Sequence, residues 1–280
     1  MVNQFHVGSV VFGGPDLPVI AGPCVIESRD HTLRMAEAIR TVTERLGLQL
    51  VFKSSFDKAN RTAGAAFRGP GLADGLAILA EVREQLAVPV LSDVHLPDQV
   101  TAVAEAVDIL QIPAFLCRQT DLLTAAAATG KPVNVKKGQF LAPWDMRNVV
   151  DKIAAAGNQR ILLTERGVSF GYNNLVSDMR AITIMRSFGY PVLYDVTHSA
   201  QLPGGLGRNS GGQRAYIPAV ARAAVAAGCD GIFMEVHDRP DQAFSDAATQ
   251  WPLSRLEKLL SDLKRLREVI CQIGVDEPLE

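Results

Sequence analysis

The sequence predicts an eight-fold parallel α/β barrel with a short N-terminal β-hairpin capping its bottom. Three observations predict it. Short apolar, β-branched runs recur eight times, stretches of helical period and length separate them, and 280 residues is a usual length for this architecture as one unit. The expectation is therefore a single catalytic domain over residues 1–280, a (β/α)8 or TIM barrel.

Taken in order, Val7 to Phe12 followed by Gly13-Gly14 reads as the hairpin. Strands follow near 18–24, 49–54, 89–94, 108–113, 132–137, 160–165, 191–197 and 231–236. Between them Thr32 to Leu46, Gly75 to Leu86, Asp121 to Thr129 and Ala219 to Ala227 carry apolar residues at helical spacing. Parallel strands need crossovers, and barrel staves are buried on both sides. That explains near-continuous apolar runs such as Val192-Leu193-Tyr194 and Gly231-Ile232-Phe233-Met234. A doubly wound dinucleotide-binding sheet is disfavoured, because Gly22-Pro23-Cys24 is not the glycine fingerprint that follows its first strand. Residues 199–213, with Pro203-Gly204-Gly205 and Ser210-Gly211-Gly212, are too glycine-rich for a helix and read as a mobile lid, with a disordered surface loop as the alternative.

Composition narrows the function. Hydrophobic residues make up 48% and charged residues 21%, the balance of a globular core, and the formal net charge is −2. Lys and Arg are scattered, so no nucleic-acid partner is expected. No signal peptide or membrane-spanning run is found, which places the protein in the cytoplasm. Cys24, Cys117, Cys229 and Cys271 show no CxxC spacing and are expected as thiols.

In this architecture chemistry sits where strands end. The eight runs deliver Cys24 and Glu27; Lys53, Ser55 and Lys58; Asp93 and His95; Gln111, with Arg118 beyond; Lys136 and Lys137; Glu165 and Arg166; Asp195 and His198; Glu235 and His237. Cations converging on one mouth repel unless an anion compensates, so Lys53, Lys58, Arg61, Lys136 and Arg166 point to phosphate or carboxylate substrates. Structural salt bridges across the barrel top are the alternative. Cys24, His198, Glu235 and Asp246 together would make a donor set of intermediate softness, suited to zinc, iron(II), cobalt or manganese, although spacing alone does not establish it. Cys117 and His237 lie near strand ends as competing candidates.

At these residues the chain resembles the 3-deoxy-D-manno-octulosonate 8-phosphate synthases (2-dehydro-3-deoxyphosphooctonate aldolases) from about Pro18 to Leu253. The matching stretches include AGPCVIES, FKSSFDKANR, RGPGL, LSDVH, DILQIPAFLCRQTDL, NVKKGQF, TERGVSFGYNNLVSDMR, DVTHSAQLPGG, SGGQR and GCDGIFMEVH. The resemblance implies condensation of phosphoenolpyruvate with arabinose 5-phosphate and water, for lipopolysaccharide precursors. The family has a metal-dependent type with Cys in the first strand and a metal-free type with Asn there, and Cys24 implies the former. By resemblance Cys24, His198, Glu235 and Asp246 are the metal ligands. Lys58, Lys136 and Arg166 would hold the phosphate of phosphoenolpyruvate, and Lys53, Ser55, Gln111 and Gln139 its carboxylate end and the adjoining polar shell. Asn60 and Arg61 would face the sugar phosphate. Asp93, Lys136, His198 and Glu235 are the implied catalytic groups, and a homotetramer is the family expectation.

One departure bears on the sugar. The family commonly continues KANR with two serines and an Ile-His-Ser segment, whereas here Thr62-Ala63-Gly64-Ala65-Ala66 follows. A sister synthase acting on erythrose 4-phosphate is the nearest alternative, against which the LPGG and PAFLCRQTDL stretches speak. A non-catalytic phosphosugar sensor and a Schiff-base aldolase using Lys136 are the readings from other classes.

Overall fold

The computed structural model describes residues 2–60, 64–205 and 211–274. Among them, eight parallel strands form the barrel: β1 Val19–Gly22, β2 Leu50–Lys53, β3 Val90–Asp93, β4 Ile109–Ile112, β5 Val133–Lys136, β6 Ile161–Glu165, β7 Val192–Asp195 and β8 Gly231–His237. Each pairs with its sequence neighbour, and β8 pairs with both β7 and β1, which closes the ring. The helices outside are α1 Arg29–Leu46, α2 Leu72–Leu86, α3 Val100–Ala106, α4 Thr120–Ala128, α5 Met146–Ala155, α6 Arg180–Arg186, α7 Ile217–Ala226 and α8 Leu256–Ile273. All eight strand expectations fall on these staves. The helices named from periodicity match α1, α2, α4 and α7 to within three residues at either end. No described helix is long and apolar enough to cross a membrane.

Period-two alternation splits each strand between two environments. Outward residues such as Val19, Phe52, Leu110, Val135, Leu163, Tyr194 and Met234 meet the helices in the large core. Inward ones divide by height. Ile20, Val51, Leu91, Ile109, Leu162, Leu193 and Phe233 make an apolar lower layer, packed with Phe5, Val7, Val10 and Phe12 of the hairpin. The hairpin thus stoppers the barrel bottom, with Phe5 paired to Phe12 and Val7 to Val10. Its turn lies at Gly8-Ser9, where Gly8 takes a φ of 56°, and Gly13-Gly14 is its exit.

Above that floor, Lys53, Asp93, Gln111, Asn134, Lys136, Thr164, Asp195 and Glu235 point inward, and all are buried. One glycine is obligatory in reaching this arrangement. A Cβ on Gly22 would overlap the backbone carbonyl of Lys53, so β1 approaches β2 closely only because no side chain intervenes. Gly22→Ala is expected to force the strands apart and to destabilise the fold by about 3 kcal/mol, read from an equilibrium urea titration.

The chain after β8 returns to the barrel. Trp251–Pro252 runs parallel to the end of β8, with Val236 paired to Trp251. The intervening loop is held at both ends. Its residue Asp246 adopts a φ of 48°, a left-handed conformation that Asp tolerates better than most residues. The Asp246 carbonyl accepts from the N–H groups of Thr249 (3.0 Å) and Gln250 (3.1 Å), which fixes that conformation.

Candidate active site

The open end of the barrel holds a cavity of about 500 Å³. Its walls include Lys53, Lys58, Asn60, Asp93, Gln111, Lys136, Gln139, Arg166, His198, Glu235 and Asp246. Cys24 and Ser55 stand just behind the wall, and Arg61 lies outside the described residues.

Three linked networks organise these groups. In the first, Thr164 Oγ1 donates to Asn134 Oδ1 (2.6 Å) and Asn134 Nδ2 to Gln111 Oε1 (2.8 Å). Gln111 Nε2 donates in turn to Asp93 Oδ1, whose other oxygen accepts from Ser55 Oγ (2.7 Å). Lys58 Nζ donates to that same Ser55 oxygen at 2.9 Å. Both ends of the Gln111 amide are engaged, so the ladder fixes where Asp93 and Lys58 face the cavity.

Burial alone would raise the Asp93 pKa, but Lys58 and Lys53 outweigh it and hold the carboxyl well below its ordinary value near 3.8. A depressed acid stabilises the fold above its unfolded pKa, and that contribution disappears as pH falls below it. The melting temperature of the wild type is therefore expected to drop steeply from about pH 4 downward. Asp93→Asn, starting lower at neutral pH, is expected to follow a flatter acid limb so that the curves converge.

The second network centres on Asp195. Lys136 Nζ donates to Asp195 Oδ2 at 2.6 Å and lies 3.6 Å above the Phe233 ring. His198 Nδ1 lies 2.7 Å from the same oxygen, and the other carboxylate oxygen accepts the His198 N–H at 2.9 Å. With Nδ1 committed to Asp195, Nε2 is turned toward Glu235 Oε1 (3.6 Å) and Asp246 Oδ2 (3.7 Å). A carboxylate behind an imidazole in this way orients it as a metal ligand.

In the third network, Cys24 Sγ is 2.7 Å from Ser245 Oγ and 3.3 Å from Asp246 Oδ2. Lys53 Nζ donates to Glu235 Oε1 (2.6 Å) and to the Cys24 carbonyl (3.0 Å). Donor atoms of Cys24, Glu235 and Asp246 all lie within 4.8 Å of one another, and Glu235 Oε2 is buried with no hydrogen-bond partner. Burial, then Asp246 and Glu235, push the Cys24 thiol far up, whereas Glu235 is brought down to about 2 because Lys53, His198 and Lys58 outweigh its burial. A neutral thiol, an orphaned carboxylate oxygen and, beside them, an oriented imidazole nitrogen fit a divalent cation, which would displace the thiol proton. Of the four side chains that the sequence grouped, Cys24, Glu235 and Asp246 form one close donor group, and His198 stands outside it with Nε2 3.6 and 3.7 Å from the two carboxylates.

Arg166 differs from the other cations. Its Nη2 donates to Gln201 Oε1 at 2.7 Å, its Nη1 has no hydrogen-bond partner, and no carboxylate among the described residues pairs with it although it is buried. Gln139 beside the cavity likewise has a buried side-chain oxygen without a partner. The lysines are matched by acids, and Arg166 is the group that asks for an external anion.

Not every strand-end residue belongs to the mouth. Lys137 turns away, donating to the carbonyls of Leu141 (3.2 Å), Gly138 (3.4 Å) and Gly167 (3.4 Å) beside Glu165 at 3.5 Å. Arg118 is exposed, Cys117 is core, and Glu27 and His237 form a separate cluster. Of the glycine-rich stretch, Gln201–Leu202 pairs antiparallel with Gly211–Gly212, and Gln201, Pro203 and Gly204 line the cavity. Residues 206–210 lie outside the described part.

Sequence reasoning missed Ser245 and Gln250. The Gln250 side chain accepts from the Cys24 N–H (3.2 Å) and donates to the Ser245 carbonyl (2.8 Å), tying the returning loop to β1. It also missed Asn134 and Thr164. Strand parity could have found Asn134, which lies two residues before Lys136 on the same face.

Comparison with known proteins gives concordant results. The sequence model of the DAHP synthetase I family matches residues 4–272. The chain is 61% identical over 271 residues to a 2-dehydro-3-deoxyphosphooctonate aldolase of Trichlorobacter lovleyi, covering 96% of this chain and all of that protein. Proteins of the same name are 59% identical in Geobacter metallireducens, over 96% of this chain and 100% of that one, and 61% identical in Nitratidesulfovibrio vulgaris, over 89% and 91%.

Proposed function

The chain belongs to the DAHP synthetase I family, and from that membership we propose that its barrel mouth condenses phosphoenolpyruvate with arabinose 5-phosphate and water. The products are 3-deoxy-D-manno-octulosonate 8-phosphate and inorganic phosphate, in the supply of lipopolysaccharide precursors. The observation that carries the reading is Arg166, a buried guanidinium that faces the cavity and has no carboxylate paired with it among the described residues.

Arg166, Lys136 and Lys58 hold the phosphate of phosphoenolpyruvate, and Lys53 and Gln139 meet its carboxylate end. Ser55 and Gln111 support that shell from behind, through Asp93 and Lys58. Asn60, with Arg61, faces the sugar phosphate. Held this way, the methylene carbon of phosphoenolpyruvate is aligned with the aldehyde carbon and bonds to it while the aldehyde oxygen takes up a proton. Water then adds at the carbon bearing the phosphate ester, and phosphate leaves with cleavage of that C–O bond. Lys136, His198, Asp93 and Glu235 are the groups placed to hold or relay the protons, and the fixed cations offset charge that shifts during attack.

Cys24, His198, Glu235 and Asp246 would hold one divalent ion, of zinc, iron(II), manganese or cobalt. When bound, that ion supplies polarisation of an oxygen on the aldehyde or on water. All 280 residues are read as one catalytic unit working in the cytoplasm, where four free thiols and phosphorylated substrates belong. A homotetramer is the family expectation, and exposed aromatic side chains on the loops at the open end, among them Phe115, Phe140, Trp144, Phe170 and Tyr172, the last 99% exposed, support self-association. Sedimentation velocity measures that state.

The deciding assay offers phosphoenolpyruvate with either arabinose 5-phosphate or erythrose 4-phosphate and follows phosphate release. Turnover is expected with the five-carbon sugar. Turnover with the four-carbon sugar alone would overturn the assignment.

A further inference from the structure

Beside the mouth, on the far side of the loop that carries Asp246, a second group of metal-ligating side chains has no part in the chemistry above. Glu27 follows β1, His31 lies in the first turn of α1, and His237 ends β8. Among the described residues only two groups bring three such donors within 4.8 Å of one another. This is one, and Cys24, Glu235 and Asp246 are the other.

One nitrogen of each imidazole lies near the carboxylate of Asp238, hydrogen-bonded to it in His31, whereas in His237 it accepts the Arg239 N–H. His31 Nε2 is 3.0 Å and His237 Nδ1 is 3.1 Å from Asp238 Oδ1. The opposite nitrogens, His31 Nδ1 and His237 Nε2, are buried without a hydrogen-bond partner, in residues only 8% and 3% exposed. His237 Nε2 is 3.3 Å from Glu27 Oε1, and the two rings lie 4.7 Å apart. Two orphaned imidazole nitrogens beside one carboxylate, with a second carboxylate behind both rings, repeat the way proteins orient histidine ligands.

We infer that Glu27, His31 and His237, oriented by Asp238, form a second divalent-metal site, distinct from the Cys24 site and structural in role. Two neutral imidazoles and a carboxylate select a borderline cation such as zinc or cobalt(II) over magnesium or calcium. A tetrahedral ion would draw its donors to roughly 3.4 Å of one another, a movement within reach of side-chain torsions. The tautomers allow it. The Arg239 N–H now donates to His237 Nδ1 at 2.9 Å and has Asp238 Oδ1 at 3.1 Å as a second acceptor, so His237 can carry its proton on Nδ1 and present Nε2 to the ion.

The ion would join α1 to the end of β8. Glu27 Oε1 also accepts the Phe244 N–H at 2.8 Å, so the same clamp reaches the loop that presents Ser245 and Asp246 to Cys24. Its effect is to hold that loop in place without touching substrate.

Cobalt(II) titration of the full chain under anaerobic conditions tests this, because only a site containing Cys24 gives a thiolate-to-cobalt charge-transfer band. The wild type is expected to bind two ions per chain, one with that band and one with weak ligand-field absorption alone. His31→Gln and His237→Gln are each expected to bind one, with the band intact and circular dichroism unchanged, and to lose the rise in melting temperature that the second ion gives the wild type. Saturation of the wild type at a single ion carrying the band would overturn the inference, as would two ions retained in both variants. A single ion without the band, lost in His31→Gln, would support this site and count against the Cys24 site instead.

Discussion

Arg166→Met is expected to yield a protein that is more stable and about a thousandfold less active. In the wild type the guanidinium is buried, with one hydrogen bond to Gln201 and no carboxylate partner among the described residues. Burial lowers its pKa, but an arginine stays charged in any folded protein, so the desolvation cost is carried whenever substrate is absent. Methionine fills similar space without that cost, and a gain of about 2 kcal/mol in unfolding free energy follows. The loss appears in catalysis. A charge-assisted contact to a phosphate is worth about 4 kcal/mol when one partner is truncated, hence about 10³ in kcat/KM. A variant that melts lower and keeps activity to within about tenfold would show that Arg166 serves the fold.

Cys24→Asn is expected to lose one bound ion per chain and to retain turnover that chelators do not touch. Without an ion the thiol stays protonated, since burial and the neighbouring Asp246 and Glu235 all oppose a thiolate. An asparagine amide has N–H donors that suit Ser245 Oγ and Asp246 Oδ2, which now stand 2.7 and 3.3 Å from the sulfur. The carboxylates would then be satisfied by hydrogen bonds in place of a cation. The effect on ion affinity should exceed the roughly 10–100-fold that loss of a supporting contact costs. Elemental analysis paired with phosphate release before and after chelation checks both halves. Cys24→Ala, which supplies neither ligand nor donor, is expected to be inactive, and unchanged metal content in either variant would remove Cys24 from the ligand set.

The fold was legible because barrel staves are short, apolar and regularly spaced, and the staves at 108–113 and 191–197 needed no other cue. The site was legible only where polarity interrupts apolarity at a strand end. Lys136 and Lys137 show the limit of that cue. Adjacent strand residues face opposite sides, so one lysine enters the cavity and the other is spent on loop carbonyls, yet both stop the same run. Asn134 and Thr164 lie within apolar runs, and their contribution is visible only through the ladder to Asp93. Gln250 and Cys24 are 226 residues apart, a meeting that closure of the ring produces and local pattern does not encode.

The hairpin beneath the barrel has an electrical consequence. Phe5, Val7, Val10 and Phe12 close the cylinder with hydrocarbon and keep bulk solvent from the underside of the ionised residues, which makes that end a poor dielectric. With little screening from below, the field of Lys53, Lys136, Asp195 and Glu235 leaves chiefly through the opening where substrates arrive. A peptide of some ten residues, far from any reacting atom, thereby sets how strongly the charges above it act.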